Sequence, residues 1–282
     1  MRNFAEKKNL VVGGIADFDM FFDWPYLASG AYKNFRVPPD RSQSGRGRET
    51  AGRLISHRGA CTLAPENSLP AFRLAGELGY WGVECDVSVT KDGNFVLMHD
   101  STVNRTTNGR GFVSHFTLEE IRKLRIDVGA NVRYYMDLQV PTLEEFLQIC
   151  EEYDMKPVIE LKVLLEDADY DTLVSILQQA GMEDNALVIS FDYEKLKRLR
   201  EKSPVHTMLL SKSPSKDTVD LALTLENCDL GMDYRSCNRS LVRYAQENGI
   251  LLNVYTVNDE LIRRDLTRWG IHFITTDLLK PE

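Results

Sequence analysis

The chain contains no apolar run approaching the roughly 20 residues that a membrane-crossing helix requires, so stable membrane insertion is not expected. Cysteine is scarce and unpaired in pattern. Five cysteines, an odd number with no C-x-x-C spacing, give neither a zinc motif nor a complete disulfide framework, and a reducing compartment is the simpler expectation. Basic excess is missing as well. Lys and Arg total 34 against 42 Asp and Glu, and the formal net charge of −8 opposes docking on polyanions, so nucleic acid is not an expected partner. What remains is a composition of 43% hydrophobic and 27% charged residues over 282 positions, enough for a large core and contrary to general disorder.

The first fifty residues differ from the rest. Lys7-Lys8 ahead of Leu10-Val11-Val12-Gly13-Gly14-Ile15-Ala16 imitates a secretory signal, but the apolar run is short and Asp17, Asp19 and Asp23 follow at once. A cytoplasmic location is therefore expected. Phe18, Phe21, Phe22, Trp24, Tyr26 and Tyr32 recur without a helical or strand period, and residues 39 to 50 are polar and rich in Gly, Arg and Ser. Residues 1–50 read as an N-terminal extension and linker that covers surface, with a pocket lid or an arm building an oligomer as the alternatives.

From residue 51 to 282, short β-rich runs alternate with longer helical ones. Eight runs fit strands: Arg53 to His57, Gly82 to Val89, Pro157 to Lys162, Ala186 to Phe191, His206 to Leu210, Cys228 to Asp233, Leu251 to Val257 and Ile271 to Thr275. Between them lie helical patterns such as Tyr170 to Ala180, where Leu173, Val174, Ile176, Leu177 and Ala180 share a face. Connections long enough for parallel crossovers predict an α/β fold, a closed (β/α)8 barrel, with a doubly wound open sheet as runner-up. Residues 100–140 break the rhythm. They form an insertion after the second strand, with a short helix at Thr117 to Leu124, on the face where such barrels carry their chemistry.

Four strings end strand-like runs: His57-Arg58-Gly59, Glu84-Cys85-Asp86, His99-Asp100 and Glu160-Leu161-Lys162. Strand alternation turns Glu84 and Asp86 to one face with Cys85 on the other, and likewise pairs Glu160 with Lys162. Three carboxylates converging inside a barrel repel one another and resist burial, and a divalent cation relieves both effects. A set of carboxylate oxygens without thiolate suits one hard ion, Mg²⁺ or Ca²⁺. Lys91-Asp92-Gly93-Asn94 signals a hairpin, and a two- or four-residue loop sets Thr90 opposite Phe95, Val87 opposite Met98 and Asp86 opposite His99. Glu66 belongs to the loop after His57. Asn67 beside it fits either a helix N-cap or a site residue. His115, His206 and His272 lack nearby partners in the sequence and read as surface or core histidines. Arg105-Thr106-Thr107 fits turn chemistry as well as substrate contact.

Taken in order, these strings closely resemble the glycerophosphodiester phosphodiesterase family. The match runs through His57-Arg58-Gly59, Pro65-Glu66-Asn67-Ser68, Ala71-Phe72, Glu84-Cys85-Asp86-Val87, Thr90-Lys91-Asp92-Gly93, His99-Asp100, Arg105-Thr106-Thr107, Pro141-Thr142-Leu143-Glu144-Glu145, Glu160-Leu161-Lys162 and Tyr255-Thr256-Val257-Asn258. It spans residues 53 to 277 and leaves the first fifty outside. The resemblance implies a TIM barrel of the phospholipase-C-like phosphodiesterase type and cation-dependent cleavage of a small glycerophosphodiester to sn-glycerol 3-phosphate and an alcohol. It implies metal ligation by Glu84, Asp86 and Glu160, acid and base roles for His57 and His99, and phosphate contacts from Arg58 and Lys162. Glu66, Asn67 and Tyr255 are further substrate-contact candidates. Many members carry tryptophan where this chain has Tyr255, and smaller or acidic residues where it has His272 and Phe273. The resemblance also implies attack by the glycerol 2-hydroxyl through a cyclic phosphate, and direct attack by water stays open. Two rivals stand beside this reading: a lysophospholipase D or sphingomyelinase D-like phosphodiesterase on the same barrel, and a non-catalytic binding barrel.

Overall fold

The computed structural model describes residues 52–163 and 166–282. The expectations for the N-terminal extension, and the boundary at residue 50, lie outside the described residues. Eight strands run parallel: β1 (Arg53–Ser56), β2 (Gly82–Val89), β4 (Lys156–Leu161), β5 (Leu187–Ser190), β6 (His206–Ser211), β7 (Cys228–Asp233), β8 (Leu252–Tyr255) and β9 (Phe273–Thr276). A short strand, β3 (Phe95–Leu97), is added to β2 in antiparallel sense. The first strand pairs with both the second and the last, Ile55 with Gly82 and Thr275, so the sheet closes. That closure decides for the (β/α)8 barrel over the open sheet, and the eight expected strands all form, within one or two residues at most ends.

Side-chain alternation divides the strands as the sequence requires. Val83, Cys85 and Val87 of β2 face outward into the main core with Ile159, Leu161, Val188, Leu209 and Leu230, against the surrounding helices. The other parity faces the lumen. There Ile55, Val158, Leu187, Ile189, Met208, Leu210 and Phe273 form a separate apolar plug. Trp81 stacks on Phe273 at 4.7 Å between ring centroids, and the Arg53 guanidinium lies over Trp81. Phe273 therefore fills the end of the barrel where the strands begin, away from the mouth.

Helices follow the capping logic of their sequences. In α1 (Leu69–Glu77), Ser68 is the N-cap and accepts a hydrogen bond from Ala71 N, while Ala71, Phe72 and Ala75 are buried. The helix α2 (Leu118–Ile121) and the helix α3 (Leu143–Glu152) each start with a reciprocal capping box, Thr117 with Glu120 and Thr142 with Glu145. The remaining crossovers are α4 (Asp167–Gln179), α5 (Tyr193–Arg200), α6 (Lys216–Leu223), α7 (Arg239–Glu247) and α8 (Glu260–Arg268). The insertion contains α2 and has a small core of its own, in which Val103, Val113, Ile121, Ile126 and Val140 pack with Val96 and Met98.

The hairpin corrects one expectation. Val87 pairs with Leu97, Ser88 with Val96 and Val89 with Phe95, one residue from the register expected for a two- or four-residue loop. Thr90 and Gly93 close a tight turn, with Gly93 N donating to Thr90 O and Thr90 N donating to Asn94 O. Gly93 sits at φ +79°, so the connection is a three-residue loop with a left-handed third residue, a conformation glycine adopts without penalty. Asp86 O consequently accepts from Met98 N, and His99 is not its direct cross-strand partner.

Candidate active site at the barrel mouth

Glu84 and Asp86, the third and fifth residues of β2, and Glu160, next to the last residue of β4, are all buried. Asp86 and Glu160 are register partners on adjacent strands. One oxygen from each of the three carboxylates lies within 4.8 Å of the others. Burial first, and then the neighbouring Asp86, push the Glu84 carboxyl up to about 8, while the His57 charge opposes the rise. Glu160 is raised by the same two causes, with Lys162 and His99 opposing. Glu84 Oε1 and Asp86 Oδ1 are buried with no hydrogen-bond partner. Buried acceptors left unpaired beside like charges are costly, and a bound cation satisfies both needs, so this set fits a metal ion.

The rim of this cluster is built by the loop after β1. Arg58 adopts φ 56° and Asn67 φ 51°, left-handed conformations for non-glycine residues that concentrate at functional sites. Gly59 follows at φ +80°, where an added Cβ would meet the Ala71 carbonyl carbon at 2.7 Å. The turn aims Arg58 N at Glu84 Oε2, 2.8 Å away. Its side chain ion-pairs with Asp86 Oδ2 at 3.2 Å and with Glu66 Oε1 at 3.1 Å. Lys162 approaches from the other side, 3.1 Å from Glu160 Oε1 and 3.6 Å from Asp86 Oδ1. Two cations and three carboxylates thus meet as expected.

Asn67 is not the helix cap. Its Nδ2 donates to Asp86 Oδ2 at 2.8 Å and its Oδ1 accepts from Asp86 N at 3.1 Å, with the residue almost wholly buried. The capping alternative is overturned because Ser68 fills that position. Both polar atoms of the amide thus bond to Asp86 and hold that carboxylate in place. Glu66 is likewise engaged, shared between Arg58 and Arg105.

Each histidine of the mouth has its own carboxylate. His57 Nδ1 is 2.7 Å from Asp277 Oδ1, and His99 Nδ1 is 2.8 Å from Asp100 Oδ1. Burial works to lower the His57 pKa, but the bond to Asp277 and the field of Glu84 outweigh it and leave the imidazole raised. Asp277 is itself desolvated, yet bonds from His57 and Asn258 hold it down at about 2. Asp100 is also held near 2, chiefly by Arg105 and then by His99. Asn258 completes the first pair, donating through Nδ2 to Asp277 Oδ2 at 2.9 Å and accepting from Asp277 N.

Asp277, Asn258 and the orienting use of Asp100 are absent from the sequence-based set. A signal for Asp277 exists once closure is assumed. Ser56 pairs with Thr276, so the next residues on the two strands, His57 and Asp277, fall side by side. Tyr255 ends β8 with its hydroxyl buried and unpartnered, and its ring meets Phe191 edge-on at 5.8 Å between centroids. Of the three histidines read as partnerless, two are corrections: His272 Nδ1 accepts from Leu252 N at 3.2 Å, and His206 Nε2 lies 2.8 Å from Asp229 Oδ2, at the end of the barrel opposite the acidic cluster. That pair joins neighbouring strands and is invisible in linear spacing.

Residues 57–280 match the model of the glycerophosphoryl diester phosphodiesterase family. The chain belongs to that family. A glycerophosphodiester phosphodiesterase of Caldanaerobacter subterraneus is 33% identical over 227 residues, which cover 79% of this chain and 93% of that protein. One from Bacillus subtilis is 29% identical, covering 88% of each. Among solved structures, an Oleispira antarctica phosphodiesterase in complex with the product sn-glycerol-3-phosphate is 28% identical, with a TM-score of 0.75 over 80% of this chain and 93% of that one. Family membership and the closed barrel agree, and the non-catalytic binding barrel falls away. Among the described residues, no helix is long and apolar enough to cross a membrane.

Proposed function

We propose that this phosphodiesterase hydrolyses small glycerophosphodiesters to sn-glycerol 3-phosphate and an alcohol, with His57 and His99 as its acid and base. The observation that carries this reading is the convergence of three buried carboxylates flanked by two imidazoles, each imidazole held by its own aspartate. Supporting it, the Oleispira antarctica relative was solved with sn-glycerol-3-phosphate as its product.

Glu84, Asp86 and Glu160 would hold one Mg²⁺ or Ca²⁺, a hard ion matched to an all-oxygen donor set. When bound, that ion supplies positive charge against the anionic phosphodiester and its developing charge in the transition state. Arg58 and Lys162 add two fixed cations at the same mouth and orient the phosphoryl group. One histidine removes the proton from the attacking hydroxyl, and the other delivers a proton to the departing alkoxide, which is otherwise a poor leaving group. Their Nδ1 atoms are occupied by Asp277 and Asp100, so Nε2 is the atom of each ring that exchanges protons with substrate. Tyr255, with Phe191 at its edge, would border the glycerol or alcohol end. The five unpaired cysteines fit a cytoplasmic site of action.

A second reading has one specific observation behind it. The insertion exposes Phe112, Val128, Tyr134 and Met136, the last 86% accessible, which favours lipid-bearing substrates of the lysophospholipase D or sphingomyelinase D-like kind. One assay separates the two. Purified protein is incubated with glycerophosphocholine, glycerophosphoethanolamine or lysophosphatidylcholine, in Mg²⁺, Ca²⁺ or EDTA. Release of glycerol 3-phosphate that disappears with chelator is expected. Release of phosphocholine, or turnover confined to the lysolipid, would overturn the first reading.

A further inference from the structure

Arg105, which lies on the insertion and outside the acidic cluster, is bonded to both halves of the mouth. Its Nε and Nη2 donate to Asp100 at 2.8 and 3.1 Å, and its Nη1 and Nη2 donate to Glu66 at 3.0 and 2.7 Å. Each carboxylate has a second client. Asp100 Oδ1 meets His99 Nδ1, and Glu66 Oε1 accepts from Arg58 Nη1 at 3.1 Å. One planar guanidinium therefore stands between the imidazole on the insertion side and the cation on the β1 side.

We propose that Arg105 is a positioning residue that sets His99 through Asp100 and Arg58 through Glu66, so that one side chain fixes the spacing of the proton-transfer group and the phosphate cradle. This inference rests on the function proposed above for His99 and Arg58. Its physical basis is the shape of the side chain. Four N–H···O bonds to two carboxylates use the fork of an arginine almost completely, leaving little capacity for a substrate oxygen. Lysine would keep the charge but offers a point donor on a flexible stem, which cannot hold two carboxylates in one plane. Without Arg105, Asp100 is free to turn away from His99, and Glu66 to follow Arg58 toward Asp86. The cation side would then lose its set distance from the imidazole side. The ring formed by Arg105, Asp100 and Glu66 also fastens the insertion to the loop after β1. Asn131 adds a second tie, its Nδ2 donating to Leu63 O at 3.0 Å.

The test compares Arg105→Ala and Arg105→Lys with the wild-type enzyme in two independent readouts. In steady-state kinetics with glycerophosphocholine, Arg105→Ala should lose about 10- to 100-fold, mainly in kcat, with Arg105→Lys recovering only a minor part. Added methylguanidinium should restore Arg105→Ala several-fold, and methylammonium, of equal charge, should not. In the second readout, ¹⁵N shifts of the histidine rings should show the His99 tautomer preference weakened in both variants, with His206 unchanged as the internal reference. A kcat within twofold of wild type, equal rescue by both amines, or an unaltered His99 ring would each overturn the proposal. The ring spectra do not depend on turnover. An inactive wild-type enzyme would therefore count against the proposed reaction, and an unaltered His99 against the positioning role. If Arg105→Ala does not fold, Arg105→Lys and Asp100→Asn keep the claim exposed. Their double variant should lose no more than the worse single, and full additivity would overturn it.

Discussion

His57 and Asp277, 220 residues apart, meet through a 2.7 Å bond between Nδ1 and Oδ1 at the seam where β1 closes on β9. The bond fixes which ring nitrogen faces the mouth and holds the imidazole's pKa above what its burial alone would give. Replacing the carboxylate with a neutral amide removes that support. Asp277→Asn should lower kcat/KM by roughly 10- to 100-fold, the range for loss of a group that orients a functional imidazole. The limb of the pH–rate profile belonging to His57 should move to lower pH. An unchanged limb would separate Asp277 from the chemistry.

Removing either imidazole tests the acid and base roles directly. His57→Ala and His99→Ala should each reduce kcat by roughly 10²- to 10⁴-fold at unchanged circular dichroism. Near-normal turnover in one of them would strike that residue from the mechanism and leave the other standing.

The acidic cluster should respond to cations in stability as well as activity. A ligand that binds only the folded state raises the melting temperature with its concentration, so Mg²⁺ or Ca²⁺ should raise it in wild type. Asp86→Asn and Glu160→Gln should abolish most of that rise. In EDTA, Glu84→Gln should melt no lower than wild type, because burial and Asp86 already work against the Glu84 charge. A marked loss of stability for Glu84→Gln in EDTA would contradict the view of the cluster as a repulsive set awaiting a cation.

His272 gives a stability prediction away from the mouth. Its Nδ1 accepts from Leu252 N at 3.2 Å, which requires a bare nitrogen, and burial lowers its pKa from 6.5, with Asp229 opposing. Above pH 6.5 the folded and unfolded chains both carry this group neutral. As the pH falls below 6.5, the unfolded chain takes up a proton that the folded chain refuses, so stability drops until the folded pKa is passed. His57, raised in the fold, contributes in the opposite direction. The difference between wild type and His272→Gln isolates the first effect. Denaturant titrations between pH 7.5 and 5 should show wild type losing ground to the variant, and parallel curves would refute the assignment.

Much of the mouth was legible because its chemistry lies in short strings at strand ends. Parity alone put Glu84 and Asp86 on one face with Cys85 on the other, and paired Glu160 with Lys162. Local rules worked less well where two answers were nearly equal in energy. The hairpin after Val89 accepts two-, three- or four-residue loops, and the left-handed Gly93 selects the third, moving Asp86 from His99 to Met98. Asn67 could cap or reach inward, and Ser68 beside it took the cap.

By itself the sequence determined the alternation of strands and helices and the shared face of the acidic residues of the mouth, since each follows from a period of two or a period near 3.6. Only the tertiary structure decided the partners: Asp277 for His57, Asp229 for His206, and Arg105 between Asp100 and Glu66. Such pairs depend on which strands become neighbours and how far each loop reaches. Barrel closure fixes those distances for the whole chain at once, and no local stretch of residues encodes them.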